Sequence, residues 1–148
     1  MFQSVMIFKK YKNKQGWERF LVISLSVLFL DQIIKLVITK SIFFEVDVYK
    51  NANALFGISL DPKLILVLYI FFFAVLFRER KKILLLNDKI ASVSLGLMCG
   101  GIISNFIDRM VCGYILDYIN IPNFFSFSIA DVAIFLGAFV LSYEILRK

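Results

Sequence analysis

Apolar runs of about twenty residues decide what this chain can fold into. Phe20 to Ile38 is the first, long enough to cross the hydrocarbon core of a bilayer as a helix. Leu64 to Phe77 is strongly apolar but short. It extends to Pro62, which suits the first turn of a helix, and to Lys63, which can snorkel outward. Ile90 to Ile107 is a third run and Phe127 to Leu146 a fourth. With 60% hydrophobic residues, the chain is well above the roughly 45–50% of an ordinary soluble domain. The expected fold is a polytopic α-helical membrane protein. It forms a single membrane-embedded domain over 1–148, with spans at roughly 20–38, 62–77, 90–107 and 127–146.

The net charge of +6 would suit a nucleic-acid partner, but Lys and Arg gather at the ends of the apolar runs, where they report topology. The head has five (Lys9, Lys10, Lys12, Lys14, Arg19), the second connection five (Arg78, Arg80, Lys81, Lys82, Lys89) and the tail two (Arg147, Lys148). The first and third connections hold four (Lys40, Lys50, Lys63, Arg109). Twelve against four puts both termini in the cytoplasm, with no nucleic-acid partner expected. No cleavable signal peptide is expected either, since no small-residue cleavage site follows the first run. Asp31, Asp108, Asp117 and Asp131 then fall in the outer half of the protein or just outside it.

The chain contains no histidine, which removes Ser-His and Cys-His catalysis and His-ligated zinc. Cys99 in an apolar helix and Cys112 in a loop beyond it do not form a metal set, and packing explains them. Polar chemistry concentrates between Gly100 and Asp131, and ions are costly in lipid unless they have a task. Asp117 and Asp131 each sit in apolar company, where burial raises a carboxyl pKa. If the fold joins them, they share one proton and can activate water. If it does not, they are acids bonded to backbone near helix ends. Asp108 and Arg109 close the third run, either as support for the site or as a structural pair. Asp31 and Lys35 lie four apart, so they share a helix face. They line the site or simply lock helices together. Lys35 with Ser104 or Ser128 would also permit a Ser–Lys hydrolase.

Other local patterns concern shape. Ser41 to Tyr49 alternates acids with apolar residues, as a half-exposed strand does. Asn51 to Gly57, NANALFG, is a polar turn whose amides either serve turn geometry or hold a peptide backbone. Gly96, Gly100 and Ser104 recur every four residues and allow close helix approach. Gly101, Asn105, Asp108 and Arg109 follow on an adjoining face. Tyr114 to Phe127 is strand-like, broken at Asn120, Pro122 and Asn123.

Four stretches in order resemble motifs of the lipoprotein signal peptidase family, signal peptidase II. DQIIK at Asp31 to Lys35 is similar to D-Q-x-x-K, and NANALFG to N-x-G-x-A-F-G/S. GGIISNFIDRM with GYILDYI is similar to G-G-x-x-G-N-x-x-D-R and G-x-V-x-D-F, and FSIAD at Phe127 to Asp131 to F-N-x-A-D. The resemblance implies four membrane helices, a small extracytoplasmic β-cradle with a loop over the site, and no metal or organic cofactor. It implies cleavage of the signal peptide from diacylglyceryl-modified prolipoproteins, just before the lipidated Cys. The bacterial cytoplasmic (inner) membrane is the implied location, with the active site at the outer face and membrane lipid as the other partner. A monomer is expected.

By position, Asp117 and Asp131 match the catalytic aspartates. Asn51, Asn105, Asp108, Arg109, Asp31 and Lys35 match substrate-binding or supporting residues. Ser128 replaces a usual Asn beside the second Asp, Asn53 a usual Gly, and Ser104 a helix-packing Gly. Two other readings stay open: an ion-coupled carrier using Asp31, Lys35, Asp108 and Asp131 as a relay, and a catalytically silent relative that binds lipoproteins. The almost purely apolar inner halves argue against the carrier.

Overall fold

A computed structural model describes residues 2–40, 48–52, 61, 64, 67, 69–72, 74, 78, 88–122 and 125–147. Helix α1 runs from Phe2 to Lys40, so the basic head is helical and continuous with the first apolar run. The head contains no proline, and its Lys, Gln and Glu residues favour helix. Helix α2 spans Asp88–Cys112 and α3 spans Ile129–Leu146. Among the described residues these are three helices long and apolar enough to cross a membrane. The expected span at 62–77 falls partly outside the described residues. Its described members Leu64, Val67, Tyr69, Ile70, Phe71, Phe72 and Ala74 are helical.

Helix α2 lies between the other two. A β-carbon at Gly100 would stand 2.5 Å from the Ser24 carbonyl oxygen and 2.8 Å from Val27 Cβ on α1. One at Gly101 would collide with the Ala130 carbonyl on α3. The small residues thus let α2 approach both neighbours at backbone distance. Met98, Ile102 and Leu141 form the apolar centre, packed against Tyr69, Phe72, Leu95, Ile134 and Ala138. Leu21, Leu25, Phe29 and Leu36 on α1 stay exposed, as do Phe135, Phe139 and Tyr143 on α3. Such faces suit lipid.

Helix α2 outlasts the expected run, passing Asp108 and Arg109 to end at Cys112. Cys112 is therefore its exposed last residue and not part of a loop. Gly113 stops the helix: at φ +82 it adopts the left-handed conformation, and its N–H bonds the Arg109 carbonyl at 3.0 Å.

Two short antiparallel pairs follow. Strand β1 (Tyr49–Asn51) pairs with β2 (Ile115–Asp117), with Tyr49 opposite Asp117 and Asn51 opposite Ile115. Strand β3 (Ile119–Asn120) pairs with β4 (Ser126–Phe127), with Ile119 opposite Phe127. Asn51 was expected in a turn. It is the last strand residue instead, because its backbone has a partner in β2. Of the strand expected over Ser41 to Tyr49, residues 41–47 lie outside the described ones, as do Asn53, Gly57, Pro62 and Lys63.

The end of the bundle remote from the strands is more polar than the sequence implies. Ser92, Ser94 and Glu144 are buried there. Glu144 is only 2% exposed, with Arg147 at 3.9 Å one turn on. Small hydroxyl residues fit the tight helix seams.

Candidate active site

The start of α3 organises the polar residues. A helix begins with four backbone N–H groups lacking helical partners. Here all four are satisfied. Ile129 N donates to the Tyr118 hydroxyl at 3.1 Å, and Ala130 N to Asp31 Oδ1 at 3.2 Å. Asp131 N donates to Ser128 Oγ at 3.4 Å, and the N–H of Ser128 itself to Asp131 Oδ2 at 2.8 Å. Ser128 is the N-cap, fully buried, in a capping box with Asp131. Its N–H and its hydroxyl each donate to Asp131 Oδ2 at 2.8 Å. Asn105 Nδ2 donates to Asp131 Oδ1, also at 2.8 Å. The carboxyl of Asp131 thus sits in the positive field of a helix N-terminus, gripped by three donors.

A buried ionic cluster underlies this helix start. Lys35 is 3% exposed and ion-pairs with Asp31, one turn back on α1, and with Asp108 Oδ2 at 2.7 Å on α2. It reaches Asn105 Oδ1 at 3.5 Å, so Asn105 stands between Lys35 and Asp131. The second oxygen of Asp31 also accepts from Ser104 Oγ at 2.7 Å, and the first from the Tyr118 hydroxyl at 2.9 Å. Gln32 Nε2 donates to Ser104 Oγ at 2.9 Å and to Asp108 Oδ1 at 2.8 Å. Leu116 N donates to Asp108 Oδ2 at 3.2 Å, tying β2 to α2. Arg109 hydrogen-bonds the Tyr69 hydroxyl. Partners this complete are what buried charges require.

Asp117 enters from β2. Its neighbour across the sheet is Tyr49, and Asn51 Nδ2 reaches it from the same strand, donating to Oδ2 at 2.9 Å. Tyr118 N donates to the Phe127 carbonyl at 3.2 Å, which brings residue 117 beside the beginning of α3. Asp117 is 1% exposed, and its Oδ1 has no hydrogen-bond partner among the described residues. Burial pushes this carboxyl up to about 6. The Asn51 amide opposes that shift, and the nearby charge of Asp131 adds to it. Burial likewise holds the Tyr118 phenol well above its ordinary range, so it remains a donor.

The polar residues singled out in the sequence are therefore drawn together. Asp31, Lys35, Asn105 and Asp108 form one buried network with Ser128 and Asp131. Asn51 and Asp117 approach from the sheet. The Ser–Lys arrangement is not built: Lys35 is held between two carboxylates, Ser104 donates to Asp31 and Ser128 to Asp131. Sequence reasoning missed Gln32 and Tyr118. Gln32 lies inside the DQIIK motif next to Asp31. Tyr118 puts a phenol after Asp117 where the motif has Phe, and that hydroxyl was the signal.

The model of the family described as Signal peptidase (SPase) II matches residues 23–147. This chain belongs to that family. The lipoprotein signal peptidase of Moorella thermoacetica is 28% identical, over 86% of this chain and 92% of that protein. The lipoprotein signal peptidase of Burkholderia cenocepacia is 39% identical, over 42% of this chain and 40% of that protein. Two solved structures of a bacterial membrane enzyme, obtained by the in meso method, share the fold with a TM-score of 0.71 each. One is 21% identical, covering 87% of this chain and 93% of that one. The other is 20% identical, covering 86% and 87%. Signal peptidase II membership accounts for the motif order, and the protein is a membrane-embedded peptidase of that family.

Proposed function

We propose that the protein is an aspartic endopeptidase that removes the signal peptide from diacylglyceryl-modified prolipoproteins, cutting before the lipidated Cys. The observation that supports this reading is that Asp117 and Asp131 lie near enough for the charge of Asp131 to act on the buried Asp117 carboxyl. Each is held by its own amide, Asn51 and Asn105 respectively. The pair shares one proton. Oδ1 of Asp117, which accepts nothing among the described residues, is the place for it. From there it polarises the scissile carbonyl, while Asp131 takes a proton from the attacking water. Water's oxygen adds to the carbonyl carbon, and collapse of the tetrahedral adduct passes a proton to the leaving amine.

Four spans, counting the helix around Tyr69, hold the site at the outer face of the bacterial cytoplasmic membrane, both termini being inside. The lipid tails of the substrate lie between helices, and Asn51 holds its backbone from the extracytoplasmic β-cradle. Arg109 supports the site with Tyr69. The enzyme acts as a monomer and uses no metal or organic cofactor. The carrier reading has less support, because Asp31, Lys35 and Asp108 are locked to one another. The test is processing of a lipidated prolipoprotein by Asp117→Asn and Asp131→Asn. Each is expected to abolish cleavage while the protein folds, and cleavage retained in either would reject the pair.

A further inference from the structure

One residue of the site bonds neither acid, yet touches the elements that carry them. Tyr118 follows Asp117 directly, and consecutive residues of extended backbone point to opposite sides. Asp117 therefore faces Asn51, while the Tyr118 ring turns back into the helix bundle. There its hydroxyl donates to Asp31 Oδ1 at 2.9 Å and accepts from Ile129 N, the first residue of α3, at 3.1 Å. Its backbone N–H bonds the Phe127 carbonyl at 3.2 Å. This single residue thus ties three parts together: the strand bearing Asp117, the first turn of α3 bearing Asp131, and the fully buried Asp31 of α1.

We infer that Tyr118 is a positioning residue, whose hydroxyl latches the start of α3 to α1 and thereby fixes the separation of Asp117 and Asp131. The inference rests on the proposed role of those two acids. Without the hydroxyl, Ile129 N loses its acceptor and Asp31 Oδ1 keeps Ala130 N alone of the two contacts described for it. The helix start can then drift relative to β2. Misplacement of a reacting group lowers the chemical step more than binding.

The experiment is Tyr118→Phe, which removes one oxygen and leaves the ring packing in place. In the full chain in lipid, kcat for a lipidated prolipoprotein is expected to fall about tenfold, as misplacement of the two acids would cause. KM stays within about twofold, and amide hydrogen exchange at Ile129 and Ala130 speeds up by about tenfold. Tyr114→Phe, which removes a phenol on the same connection outside the site, changes neither. An unchanged kcat overturns the inference, whatever the exchange does. So does a fall in kcat with unchanged exchange, or one matched by a proportionate change in KM, since the hydroxyl would then act on substrate. Failure of the two-acid reading is separate: cleavage by Asp117→Asn or Asp131→Asn would show it, while faster exchange in Tyr118→Phe would still report the latch.

Discussion

Ser128 and Asp131 bond each other in both directions: the Ser128 hydroxyl accepts from Asp131 N at 3.4 Å and donates to Asp131 Oδ2 at 2.8 Å. The departure from the family motif at this position thus keeps both tasks an Asn would have. It caps α3, and it gives a donor to the acid. Ser and Asn are about equally good N-caps. Ser128→Asn is therefore expected to leave turnover within about threefold, which removes the main support for a silent relative. Ser128→Ala loses cap and donor together, costing about 1 kcal/mol of stability and about tenfold in cleavage rate. Thermal unfolding in detergent, beside a cleavage assay on lipidated substrate, measures both. A large gain in turnover from Ser128→Asn would mean that the hydroxyl is a poor substitute.

Lys35 is the only described cation shown bridging Asp31 and Asp108, and all three are buried. Removing one partner of such a cluster strands the remaining charges. Lys35→Met is expected to destabilise the protein by about 3–5 kcal/mol, against a far smaller effect for an exposed lysine such as Lys40. Adding Asp31→Asn to Lys35→Met should recover part of the loss, since one stranded charge then disappears. Melting temperatures of the single and double variants in one detergent decide this. A double variant no more stable than Lys35→Met would mean that the cluster is held by packing and not by charge.

How much of this was legible follows from sequence distance. The pairing of Asp31 with Lys35 could be read because they lie one helical turn apart. The close approach of α1 and α2 could be read from Gly96 and Gly100. The stop at Cys112 is also legible, since Gly113 follows it, although the apolar run itself ends at Ile107. The second partner of Lys35 was not legible: Asp108 lies on another helix, and no local period links them. Nor could the partners of two N–H groups at the start of α3 be foreseen. They are Tyr118 and Asp31, which only the folded chain brings to Ile129 and Ala130. The depth of Glu144 likewise depends on which face of α3 meets its neighbours. Local spacing carried the elements, while the site depended on which elements meet.

The pH dependence follows from Asp117, held by burial at about 6 against an ordinary 3.8. Its folded-state value is raised, so the folded protein keeps a proton that the unfolded chain releases. The corresponding stability is fully present below about 3.8 and is lost as pH rises through about 6. The proposed mechanism needs that same proton, so kcat/KM is expected to fall on the alkaline side with an inflection near 6. Asn51→Ala removes the amide that opposes the shift. The alkaline limb should then move to higher pH while overall activity drops about tenfold. An alkaline limb unmoved by Asn51→Ala would assign it to another group.

Gly101 links packing to chemistry. A β-carbon there would run into the Ala130 carbonyl and lie 2.8 Å from Ile134 Cγ1, so α3 must move away from α2. The collision falls one residue before Asp131, whose carboxyl depends on Asn105 from that same α2. Gly101→Ala is therefore expected to cost activity out of proportion to stability: at least about tenfold in kcat for about 1–3 kcal/mol of overpacking. Gly96→Ala is the comparison. Its β-carbon meets Ile23 and the Phe20 carbonyl at 3.0 Å, on the α1 seam and away from Asp131. It should lower the melting temperature with little effect on kcat. Equal losses of kcat in the two variants would show that the bundle responds to crowding as a whole. A loss confined to Gly101→Ala would show that the α2–α3 spacing itself holds Asp131 within reach of Asn105.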